Sequence, residues 1–189
     1  MNPISLDSKL PPGVTTYRNM FSLLEKREET KNLVNVLGSN VTYDETSDLK
    51  RFLTAHGYRV ANIADYTDFD SFMEMASAKL NLVTSPIAFK TAEMMKKEFG
   101  IPYLTAYVSY DPEEIMEVYR KLQKALDLDF GPALEQEKEK ACEEIRKAKE
   151  IIGDYPIAVD YQAVLRPYSL ALMMSRNGFH MGMVASDSV

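Results

Sequence analysis

The sequence predicts an α/β protein, a Rossmann-like parallel sheet with helices on both faces followed by the first strand–helix–strand of a second, similar domain. Three observations lead there. The runs Leu33–Leu37 and Leu80–Val83 are apolar on both faces apart from one asparagine each, the pattern of central parallel strands. Segments with apolar residues at helical spacing alternate with such runs. Ala78 to Tyr103 reads as strand, turn, helix and next strand within about thirty residues, which is a βαβ unit.

Taken in order, Met1 to about Thr16 is polar and broken by Pro11, Pro12 and Gly13, so an extended arm is expected. Tyr17, Met20, Phe21, Leu23 and Leu24 suggest a short helix ahead of a charged tail ending near Glu29. Leu33–Leu37 is the first strand, and the loop Gly38 to Ser47 comes after it. That loop has one glycine where a dinucleotide fingerprint needs three, so it excludes a classical nucleotide site. Thr46 or Ser47 caps a helix with Leu49, Phe52 and Leu53 on its apolar face, and His56-Gly57 ends it.

Tyr58 to Ile63 is the second strand, and Thr67 or Asp68 caps a short helix carrying Phe69, Phe72, Met73 and Met75. After the third strand, Thr84-Ser85-Pro86 turns into a helix bearing Ile87, Ala88, Thr91, Met94 and Met95, stopped by Gly100 and Pro102. Tyr103 to Val108 is the fourth strand. Asp111-Pro112 opens a helix with Ile115, Met116, Val118, Tyr119 and Leu122 as its stripe.

Gly131-Pro132 breaks the chain before a long, charged helix over 132–152. A second strand–helix–strand set comes next at Pro156–Val159, Arg166–Asn177 and His180–Val184. The expected organisation is therefore an arm and short helix over 1–30, a Rossmann-like domain over 31–131, a connecting helix over 132–153, and the truncated start of a second domain over 154–189.

Composition narrows the function. A 46% apolar share in 189 residues is ample for a core. A net charge of −6 argues against a nucleic-acid binder, which carries a basic face. There is no basic-then-apolar leader, and no apolar run approaches the roughly 20 residues of a spanning helix, so a soluble, cytoplasmic chain without membrane contact is expected. Cys142 stands alone between Ala141 and acidic neighbours, which fits an inert thiol and no metal site. No nucleophile elbow or serine–histidine–aspartate order appears, and no catalytic residue is assigned.

Ligands of parallel sheets sit at the carboxyl ends of the strands. Thr84, Ser85, Pro86, Ser109 and Tyr110 occupy that rim, and Arg166, at a helix start, is placed to hold an anionic group. Asp44, Asp65, Asp111 and Asp160 also come after strands and could share one crevice as a metal or acid–base cluster, although capping alone explains Asp111.

The segments AKLNLV at 78–83 and GIPY at 100–103, with NLVNVLGSN ending at Asn40, LKRFLTAHGYRV at Leu49–Val60 and AVLRPYSLALMMSRNGF at Ala163–Phe179, carry a resemblance. In order and spacing, from about Leu33 to Val184, they resemble the middle-domain region of the nitrogenase component 1 family: molybdenum–iron protein subunits, cofactor-assembly scaffolds and related tetrapyrrole reductases. The resemblance implies three similar α/β domains per subunit and iron–sulfur clusters held by cysteines at subunit interfaces. In the catalytic subunit the turn after the LNLV strand carries a cofactor-ligating cysteine; here that place is taken by Ser85, or by Thr84 with a one-residue slip.

The resemblance further implies a segment of an oxidoreductase subunit or iron–sulfur assembly scaffold that walls a buried cavity. An iron–sulfur type cluster belongs to the parent complex with ligands outside this chain, which binds none by itself. The implied partners are a homologous α/β subunit and a separate ATP-driven iron–sulfur reductase. The alternative is a stand-alone module closing two lobes on a small ligand through Asp44, Asp65 and Asp160.

Overall fold

The computed structural model describes residues 10–186, and it divides into two compact units that meet in sequence at Tyr107 and Val108. Among the described residues the first unit begins with helix α1 (Pro12–Phe21), so the extended arm expected up to Thr16 is helical from Pro12. The prolines start this helix rather than break it. Pro11 is its cap and Pro12 its first residue, where a missing amide hydrogen costs nothing. Tyr17 and Phe21, one turn apart, stack at 4.9 Å and anchor it in the core. The charged stretch beyond Ser22 stays outside the helix; the expected arm before Leu10 lies outside the described residues.

Strands β1 (Leu33–Leu37), β2 (Arg59–Ala61), β3 (Leu80–Val83) and β4 (Tyr103–Thr105) form an all-parallel sheet in the order β2-β1-β3-β4. β1 and β3 are buried along their whole length, as runs apolar but for one asparagine each require. The two outer strands are shorter than the sequence suggests. Asn62 ends β2 by capping a 3-10 turn at Ile63–Asp65, and β4 ends at Thr105, the Ala106 amide making the last bond to β3 at the Val83 carbonyl, 2.8 Å.

Helix α2 (Asp48–Ala55) is capped by Ser47, whose hydroxyl accepts the Lys50 amide. The short α3 (Phe69–Phe72) is capped by Asp68, and α4 (Phe89–Phe99) links β3 to β4. Leu33, Leu37, Ala61 and Val83 face one core with Tyr17, Phe21, Phe72, Met75, Ala92 and Met95 from the helices. The alternate residues Val34, Val36, Leu80 and Leu82 face the other side, where α2 supplies Phe52 and Leu53. Each large side chain removed from water in this way contributes about 1.5–3 kcal/mol. Within the sheet, Asn35 and Asn81 are fully buried cross-strand neighbours, and the Asn35 side-chain amide donates to Asn81 Oδ1 and to the Met75 carbonyl, both at 2.8 Å.

The second unit contains α5 (Pro112–Leu126), α6 (Pro132–Ile152), β5 (Ile157–Val159), α7 (Pro167–Arg176) and β6 (Met181–Val184). The change from one compact unit to the other falls ahead of α5. α5 and α6 share an interface, with Met116, Leu122, Leu126, Phe130 and Leu134 buried. Ile115, expected on the apolar stripe, is exposed. Of the 21 residues of α6, only Leu134 is buried, in keeping with its charged sequence. β5 and β6 pair in parallel around α7 as a βαβ unit, and Tyr168, Leu172 and Met183 are exposed.

Candidate functional site

The carboxyl ends of β1 and β3 are drawn together by backbone geometry. Gly38 follows β1 with φ +100°, and a Cβ there would lie 2.8 Å from Ser85 Cβ and 2.9 Å from its nitrogen. Only glycine allows this approach. Thr84 ties the same two ends, its amide and its hydroxyl both donating to the Leu37 carbonyl at 2.9 and 3.0 Å. From α1, the Tyr17 hydroxyl accepts the Gly38 amide at 2.8 Å; burial pushes this phenol up to about 12 against the opposing hydrogen bond. The Tyr43 phenol shares a hydrogen bond with the Thr84 side chain and is also raised, chiefly by burial.

Ser85 and Pro86 therefore stand on a rigid base. Ser85 is half-buried with no capping bond from its side chain, and Pro86 begins a 3-10 turn that leads into α4. The Asn62 side-chain amide donates to the Val41 carbonyl at 2.6 Å and joins the loop after β1 to the one after β2.

The other rim residues belong to the second unit. Ser109 donates to Glu114 at 2.6 Å and accepts the Asp111 amide at 3.2 Å. Tyr110 is half-buried in the same loop. Arg166 precedes α7, and its guanidinium donates to the Val108 carbonyl. Asp111 caps α5 through the Glu113 amide and pairs with Arg176 at 2.7 Å. Partial burial pushes the Asp111 carboxyl up, but Arg176 and the helix amides outweigh it and hold the group below the usual range.

The expected acidic cluster does not assemble. Among the described residues no three His, Cys, Asp or Glu side chains are placed to hold a metal ion. Each carboxylate is committed locally. Asp44 accepts the Thr46 amide and hydroxyl, Asp65 completes a capping box with Asn62, and Asp160 accepts the Gln162 and Ala163 amides. Short polar side chains after strands bond their own loop more readily than a distant partner.

The loops at the strand ends also lack thiols. Cys142 is half-buried in α6, and the rim offers hydroxyls at Thr84, Ser85 and Ser109. Iron–sulfur centres are held by thiolate, so this donor set does not fit a cluster ligand. Sequence reasoning missed Tyr17, Tyr43 and the Gly38 contact. The prolines ahead of Tyr17 hid where its helix begins, and a tyrosine in a polar loop carries no signal of what it reaches.

Comparison with known proteins accounts for this frame. The sequence model of nitrogenase component 1 type oxidoreductases matches residues 14–188. The chain belongs to the nitrogenase component 1 family. Its fold is similar to a nitrogenase Cp1 structure at pH 6.5, with TM-score 0.69 and 15% identity over 93% of this chain and 44% of that one. A nitrogenase Cp1 structure at pH 5 gives TM-score 0.58 and 23% identity over 93% and 37% of the two chains. This nitrogenase component 1-type chain thus spans less than half the length of either neighbour. Among curated proteins, none matches it. No described helix is long and apolar enough to cross a membrane.

Proposed function

We propose that the chain supplies the middle α/β domain and the opening of the next domain to a nitrogenase component 1-like oxidoreductase subunit, or to a scaffold that assembles an iron–sulfur cofactor. The observation that carries this reading is the match of the family across 14–188, joined to a rigid strand-end rim in the first unit. In that unit Thr84, Ser85 and Pro86 form a wall of a cofactor or substrate cavity. Ser109, Tyr110 and Arg166 are the corresponding contacts of the second unit.

The hydroxyls and backbone groups of that wall orient a bound molecule and limit water; they do not ligate iron. A cluster in the parent complex supplies the electron chemistry and takes its thiolates from outside this chain. A homologous α/β subunit is the structural partner, and a separate ATP-driven iron–sulfur protein delivers electrons in the cytoplasm.

The test is oxygen-free co-purification of the tagged chain from its source cells, with iron analysis and mass spectrometry of what is retained. A homologous α/β subunit recovered with iron is the expected result. An iron-free chain with no homologous partner overturns the proposal.

A further inference from the structure

We propose that an open cavity along the edge of β2, which no other described strand pairs with, is a binding site for a small carboxylate, with Lys50 as its cationic anchor. The cavity holds about 470 Å³ and is lined along α2 by Lys50 and Thr54, along β2 by Arg59, Val60 and Ala61, and by the carboxylates Glu45 and Asp65. That volume lies in the range of small-molecule sites.

Lys50 is unusual in two ways. It is only 8% exposed, and it sits in the first turn of α2, where the helix dipole disfavours a cation. The acids around it are not equivalent: Asp44 lies near enough to feel its charge but is bonded to the Thr46 amide and hydroxyl. Asp48 is bound to Arg51 at 2.9 Å, and Asp65 accepts the Asn62 amide at 2.8 Å. Lys50 pairs instead with Glu45 at 2.7 Å, from a side chain that is 87% exposed. An exposed glutamate loses rotamer freedom to hold such a pair, so it is a weak and replaceable counter-ion.

The other cations near the cavity are already engaged, Arg59 with Glu74 at 2.6 Å and Lys79 with the Tyr58 hydroxyl at 2.8 Å. β2 supplies the second contact. The Arg59 amide donates to Asn32 across the β1 ladder, so the alternate residue, Val60, turns its N–H and C=O to the open edge. One ammonium, one backbone N–H and the Thr54 hydroxyl suit a monoanion that accepts hydrogen bonds. The Glu45 pair shows that Lys50 takes a carboxylate oxygen at good distance.

Titration of the full chain with sodium acetate, followed by amide NMR and matched in ionic strength with sodium chloride, tests this. Saturable shifts at Val60 and Lys50 with acetate alone are expected. Glu45→Gln removes the internal competitor and tightens binding about twofold to fivefold, while Lys50→Met abolishes it. Glu45 is exposed, so its variant reads out even if Lys50→Met does not fold. Unchanged or weaker binding in Glu45→Gln overturns the proposal, as does the absence of saturation. Inorganic phosphate binding where acetate does not would overturn the carboxylate assignment.

Discussion

Replacing Gly38 by alanine tests the joint between β1 and the 84–86 turn. At φ +100° an L residue is strained by about 1–2 kcal/mol. The added methyl would also lie 2.8 Å from Ser85 Cβ and 2.9 Å from its backbone nitrogen, neither of them the end of a flexible chain. Overpacking of that kind costs about 1–3 kcal/mol, so the variant should lose roughly 2–5 kcal/mol. Gly57→Ala is the control, because its φ of +78° carries the conformational strain with no atom within 4 Å of the new methyl. The chain has two units and no tryptophan, so hydrogen exchange at the β1 and β3 amides in urea is the suitable readout. The difference between the variants isolates the steric part. Equal losses, within about 0.5 kcal/mol, would refute the reasoning, because the Gly38–Ser85 contact would then hold nothing.

Tyr17→Phe should cost about 1–2 kcal/mol, since the Gly38 amide loses its acceptor. The same residue sets an alkaline limit: with the folded pKa at about 12 and the unfolded value near 10, the unfolded chain releases its proton first. Stability is intact below about pH 10 and falls by about 2–3 kcal/mol by about pH 12; circular dichroism should show a steeper alkaline slope in the parent than in Tyr17→Phe, which keeps only the part owed to the other raised phenols, Tyr43 and Tyr66. Asn81→Ala leaves a cavity and removes one acceptor of the Asn35 amide, and urea unfolding should register a loss of about 2–4 kcal/mol. In the second unit, Asp111 has a depressed pKa, so its contribution is present above the unfolded carboxylate value and lost as pH falls through the folded one. Asp111→Asn keeps a good cap and should flatten that acid limb while costing at most about 1 kcal/mol at neutral pH, measured by exchange at the α5 amides.

The strands and most helices were legible because their signals are local. Runs apolar but for one asparagine each marked β1 and β3, Asp111-Pro112 opened α5, and Ser47 and Asp68 cap where short polar residues should. The extent of the outer strands was not legible, since Ile63 and Val108 are apolar yet lie outside the ladder, Ile63 in a 3-10 turn and Val108 in a loop. Nor was the start of α1, because Pro11 and Pro12 read equally well as a break or as an N-terminus; what decides is Tyr17 and Phe21 finding a core far along the chain.

The rim came from topology, as strand ends must carry turns. The acidic residues looked like a shared crevice because sequence shows position and not where a carboxylate is spent. Asp44, Asp65 and Asp160 each bond within three residues of themselves. Lys50 gave no warning, being one lysine on a helix whose burial depends on the strand beside it.

The asparagine pair between β1 and β3 has a consequence for how the sheet finds its alignment. Strands buried on both faces, such as Leu33–Leu37 and Leu80–Val83, carry little information about which residue should face which side. A slip by one residue would exchange one apolar side chain for another at small cost. It would also separate Asn35 from Asn81 and leave two carboxamides seeking partners in a dry interior, at about 1–3 kcal/mol for each lost group. The two asparagines thus act as a key cut into an otherwise smooth pair of strands, trading hydrophobic burial for a single permitted alignment. Since Thr84 and Gly38 stand directly at the ends of those strands, the same key fixes which residues reach the rim.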